Sequence, residues 1–111
     1  MATTAAAKLL NLARRGRLLE VRELLAALDA PERLVVLRAE DNQGNTALLL
    51  AIIYEHPNVA SLLLQFEETD PTHVNRRGCA ALSLAARSKR PFVVAAVLRR
   101  LLCVERLQRG E

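Results

Sequence analysis

The 111-residue chain has no Trp, one Tyr and two Phe, so aromatics make up only 3% of it. It is also poor in β-branched residues, and with that composition a β-sandwich is excluded. Its two cysteines, Cys79 and Cys103, lie far apart with no CxxC pair, which excludes a disulfide scaffold. A metal site needs three or four ligands at close spacing, and none is found, so no metal is expected. The longest apolar runs, Ala47–Tyr54 and Phe92–Leu98, fall far short of the roughly 20 residues that span a bilayer. No membrane segment and no secretory leader is expected, and the expected setting is cytoplasmic and/or nuclear.

Catalytic groups are equally sparse. There are two His in the chain. His56 falls at a helix–helix break and reads as structural. His73 lies in an acidic stretch and reads as solvated. Ser83 has no His near it in sequence and reads as a packing position. Glu40 and Asp41 are adjacent carboxylates in what reads as a solvated turn. Gly44 and Gly78 are isolated, so no phosphate loop exists. No catalytic residue, cofactor or metal is expected, and the chain does not read as an enzyme.

What is present is Leu and Ala, 22 and 18 residues respectively, in a pattern that repeats. Asp41-Asn-Gln-Gly44-Asn-Thr46-Ala-Leu48-Leu-Leu-Ala51 aligns with Asn75-Arg-Arg-Gly78-Cys-Ala80-Ala-Leu82-Ser-Leu-Ala85 at an offset of 34. Val59–Leu64 matches Val93–Leu98 at the same offset. A partial copy runs from Leu9 through Ala13 and Gly16 to Val21, Leu24 and Leu25. Leu48 follows Leu9 by 39 residues, so the first linker holds about five extra.

Each copy reads as helix, turn, helix. Thr46 suits the N-cap of a first helix running to about Tyr54, with Gly44 turning the chain just before it. His56-Pro57-Asn58 ends that helix and Pro57 opens the next, which holds Val59, Leu62, Leu63 and Phe66 at helical spacing. Ser88-Lys-Arg-Pro91 and Gly16 serve the same purpose in the other copies. In the first linker, Asp29 with Glu32 three residues on looks like a capping box, and Pro31 between them suits a first helical turn, predicting a short helix over about 31–37 that packs Leu34 and Leu37. The acidic stretch 67–73 predicts an exposed loop.

Asp41, Gly44, Thr46, Leu48, Ala51, Leu63 and Leu64 resemble the ankyrin repeat. So do Asn75, Gly78, Leu82, Ala85, Ala86 and Leu98, and in the first copy Leu9, Ala13, Gly16, Leu24 and Leu25. The resemblance implies an all-α solenoid of three degenerate repeats forming one domain. Their expected spans are about 5–40, 41–74 and 75–102, with a helical extension over 103–111. The family's Thr-Pro-Leu-His is reduced to Thr46-Ala47-Leu48-Leu49 and Ala80-Ala81-Leu82-Ser83, so much of its side-chain bonding is missing. Nine residues, His56–Leu64, are also similar to a stretch in the inhibitors of NF-κB transcription factors, which implies a sequestering role.

The resemblance implies a binding face built from turn tips and first helices. By position that face collects Arg14 and Arg15, then Asn42, Gln43, Asn45, Ile53 and Tyr54, then Arg76, Arg77, Cys79, Arg87 and Ser88. Arginines around a Tyr/Ile centre are typical interface anchors. The expected partner is a protein segment carrying acidic and apolar residues. Charge is banded: residues 41–70 hold five acidic and no basic residues, and 71–111 hold nine basic and two acidic. The basic end offers nucleic acid as an alternative, but stacking aromatics are lacking. The Leu/Val-rich final helix offers another, a homodimer. Arrays need polar ends; Arg14, Arg15, Arg17, Arg22 and Glu23 supply one. At the other end the apolar tail either folds back as a cap or contacts another chain.

Overall fold

The computed structural model describes the backbone of residues 2–109 and the side chains of residues 4–102. Among them are seven helices: α1 Ala2–Arg15, α2 Leu18–Ala26, α3 Ala30–Arg38, α4 Ala47–Ile53, α5 Pro57–Leu64, α6 Ala81–Arg87 and α7 Pro91–Arg109. Three antiparallel pairs, α1/α2, α4/α5 and α6/α7, stack side by side. The first helices form one row, with α1 on α4 and α4 on α6, and the second helices form another. One apolar core runs through the rows, from Leu9, Val21 and Leu25 through Leu48, Leu49 and Leu63 to Val97, all 2% exposed or less.

The inter-helix turns share one backbone device. Gly16, Glu55 and Lys89 all take positive φ, at 72°, 62° and 58°. At Gly16 no side chain fits, because a Cβ there would overlap the His56 ring. At the next two turns the conformation is carried by residues with a Cβ, which is less favourable. Pro57 and Pro91 then start α5 and α7, where a missing N–H costs nothing.

Several expectations from sequence need correction. The extra helix exists as α3, and Asp29 Oδ1 accepts from the Glu32 amide at 3.2 Å. Its inward residues, however, are Val36 and Leu37; Leu34 is 40% exposed. Thr46 sits at the N-cap of α4, but its hydroxyl makes no capping bond. Ser83 is exposed rather than packed. Its Oγ accepts from the Ala80 amide at 3.1 Å and donates to the Ala80 carbonyl at 2.9 Å, closing the start of α6, where Ala80 has no side-chain oxygen to cap it. Phe66 lies beyond the end of α5.

The 67–73 linker is not a free loop. Thr69 is 2% exposed and its hydroxyl donates to the Leu63 carbonyl at 2.7 Å. Arg100, on α7, turns inward, and its Nη2 donates to the carbonyls of Thr69, Glu67 and Phe66 at 3.0, 3.3 and 3.4 Å. Arg33 Nε pairs with Glu68 at 3.2 Å, and its guanidinium lies 5.7 Å from the Phe66 ring centre. Asp70 accepts from the Thr72 hydroxyl and amide at 2.6 and 2.9 Å. Burial alone would raise its pKa; those bonds, with the charges of Arg38 and His73, outweigh burial and hold the carboxyl below its ordinary value.

The final helix runs uninterrupted from Pro91 to Arg109, so the tail does not fold back within the described residues. The side chains of Cys103, Val104, Glu105, Arg106, Leu107 and Arg109 lie outside the described set, as do Gly110 and Glu111. The expected extension over 103–111 is therefore described only as helical backbone as far as Arg109.

Candidate functional site: a groove along the turn tips

Two tips are built by one hydrogen-bond scheme. Asp41 Oδ1 accepts from the amides of Gln43 and Asn45 at 2.8 and 3.0 Å. Thirty-four residues on, Asn75 Oδ1 accepts from Arg77 and Cys79, both at 3.0 Å. Gly44, at φ 78°, closes the first turn by donating to the Asp41 carbonyl at 3.1 Å. A Cβ on Gly44 would come within 3.0 Å of the Arg76 amide nitrogen, and that amide donates to the Gln43 carbonyl at 3.0 Å. Glycine therefore lets one tip lie against the next. Asn75 adds a bond an aspartate could not donate: its Nδ2 reaches Asn45 Oδ1 at 2.8 Å. His73 Nε2 joins in, 2.8 Å from the Gly44 carbonyl and 3.2 Å from Glu40.

Between these tips and the row formed by α4 and α6 lies an open groove of about 790 Å³. Leu50, Ile52 and Leu84 line it deeply; Ile53 and Tyr54 stand up in it, 39% and 50% exposed. Arg14 enters from α1. Its guanidinium is 6.0 Å from the Tyr54 ring centre and its Nη2 is 3.7 Å from Asp41 Oδ2. The Arg14 carbonyl is held by His56 Nε2 at 2.9 Å, so the structural role expected of His56 also steadies a groove residue. Arg77 and Arg87 close the opposite side with Cys79 and Ser88. Cys79 is a free thiol. Asp41 and Glu55 are the acidic members of the lining.

Ten of the twelve residues expected from sequence meet here: Arg14, Asn42, Gln43, Asn45, Ile53, Tyr54, Arg77, Cys79, Arg87 and Ser88. Arg15 and Arg76 do not line the groove, although both are exposed. Asn45 lines it at only 7% exposure, and its Oδ1 accepts from Asn75 Nδ2; it braces the tips. From sequence, Asp41 is expected in a solvated turn and His73 in solvent. Both are instead largely covered, at 17% and 21% side-chain exposure. The recurrence of Asp41 as Asn75 one repeat later is the signal that marks these two as tip organisers; His73 has no such counterpart, position 39 being Ala. Among the described residues, no group of three or more His, Cys, Asp or Glu could hold a metal ion. No described helix is long and apolar enough to cross a membrane.

This arrangement of stacked helix pairs with bonded tips defines a solenoid repeat protein. A family model for ankyrin repeats matches residues 9–106 in three copies, and the chain belongs to the ankyrin-repeat family. No match was found among curated proteins. Ankyrin repeats are generally protein–protein interaction modules and are typically non-enzymatic.

Proposed function

We propose that the chain is a non-enzymatic binding module that takes an acidic, partly apolar segment of another protein into this groove, in a regulatory or sequestering role. The observation that carries the reading is the grouping of Arg14, Arg77 and Arg87 around Tyr54 and Ile53 in one open cleft. An apolar side chain of the partner would pack on Tyr54 and Ile53 while its carboxylates meet the guanidinium forks. The tips are cross-braced by Asn75 and by the Arg76–Gln43 backbone bond, so little ordering is required on binding.

Two observations bear on the other expectations. Arg100, counted among the basic residues of the C-terminal segment, is spent on three carbonyls of the chain itself, which weakens a nucleic-acid reading. The likeness of His56–Leu64 to the NF-κB inhibitors falls largely on core positions, since Val59, Ala60, Leu62, Leu63 and Leu64 are buried; it speaks for packing and gives no partner. Co-purification of partners with wild type and with an Arg77→Glu/Arg87→Glu variant tests the groove. Loss of partners in the variant supports the reading, and an unchanged set of partners overturns it.

A further inference from the structure

The second and third repeats can be compared position by position at the offset of 34. Leu64 is 4% exposed in the second repeat, and its equivalent Leu98 is 42% exposed in the third. Leu48 is 2% exposed and Ala60 is 0%, whereas their equivalents Leu82 and Val94 are only half-buried. The helices that carry these positions in the second repeat are the ones the third repeat packs on, α6 on α4 and α7 on α5. In the third repeat nothing within the described residues covers them to the same degree, yet they remain Leu and Val. Leu102, one turn beyond Leu98 on α7, extends the strip at 56% exposure.

From this we infer that the open edge of the third repeat is a second docking surface, separate from the groove, for an amphipathic helix of a partner protein with acidic residues flanking its apolar stripe. The chemistry of the partner follows from charge. Of the third repeat's cations, Arg77 and Arg87 line the groove and Arg100 is turned inward, while Lys89 in the α6–α7 turn, Arg90 beside it and Arg99 beside Leu98 are exposed. A two-fold contact would set the same patch against itself and so bring cations against cations, which disfavours a second copy of this chain. A helix with Leu or Val at i, i+4 and i+7 would replace the missing neighbour, and its Asp and Glu would meet Lys89 and Arg99.

The test uses two synthetic helical peptides that share one Leu face, one flanked by Glu and the other by Lys, titrated against the full chain by fluorescence anisotropy. The Glu peptide should bind at least about tenfold more tightly than the Lys peptide. Its binding should weaken with salt, and should be lost in Leu98→Asp and, as a second variant, in Leu102→Asp. It should fall about tenfold in Lys89→Glu/Arg99→Glu and be unchanged in the groove variant Arg77→Glu/Arg87→Glu. Circular dichroism confirms that each variant is folded, which the exposure of the substituted positions favours. Equal binding of the two peptides, no binding of the Glu peptide, or binding indifferent to both Leu substitutions would overturn the inference. So would a concentration-dependent dimer in sedimentation that Leu98→Asp abolishes, because the edge would then belong to a second copy.

Discussion

The second and third repeats share a backbone plan and differ in almost everything laid on it. The second is covered on both sides, so every residue of α4 from Ala47 to Ile52 is buried. It carries five acidic residues and no basic one over 41–70. The third is covered on one side, keeps only Ala81 and Ala85 buried on α6, and is basic. At the tip, the carboxylate of Asp41 is replaced by the amide of Asn75, which gains a donor and uses it to tie the two tips together. At the far end, α5 stops at Leu64, where the chain turns into the 67–73 linker, whereas α7 continues to Arg109. In a stack, burial belongs to a position's neighbours more than to its own residue type. The same Leu is core in one copy and surface in the next.

The sharpest way to break the comparison is to truncate equivalent leucines. Leu64→Ala should cost ~2–4 kcal/mol in urea unfolding, while Leu98→Ala should cost under ~1 kcal/mol; equal losses would mean that the two edges are covered alike. Next in size, Asn75→Ala removes the acceptor of two amides and the bond to Asn45, and should cost about 2 kcal/mol. Hydrogen exchange should then speed up at the Arg77 and Cys79 amides.

A smaller effect, of opposite sign, is expected at the turns. Glu55→Gly and Lys89→Gly relieve positive φ at residues with a Cβ, and each should stabilise the fold by up to ~1 kcal/mol. Gly16→Ala, in the equivalent turn, should destabilise it. The smallest effect is acid sensitivity. Asp70 is held below its ordinary value, so its contribution is present above the unfolded pKa of about 3.9 and is lost as pH falls through the folded value. Thermal melts at decreasing pH in the acid range should therefore show a shallower decline for Asp70→Asn than for wild type.

The 34-residue register made the helix pairs, the tips and most of the groove legible, because each depends on contacts within a repeat or between equivalent residues. What was not legible depends on distant partners. The polar run 67–73 reads as a solvated loop until Arg100, 31 residues beyond Thr69, turns in to satisfy its carbonyls. Arg76 and Arg77 are neighbours of one type, and only the folded tip sends one toward the groove and the other toward Gly44. In α3, nine residues give too little periodicity to tell Leu34 from Val36.

On the proposed function, the groove, and not positive charge in general, selects the partner. Co-purification should compare three charge-reversed proteins with wild type: Arg77→Glu/Arg87→Glu within the groove, and Arg15→Glu and Arg76→Glu outside it. Partners lost from the first and retained by the other two are the expected result. Equal loss from all three, or retention by all three, would contradict it.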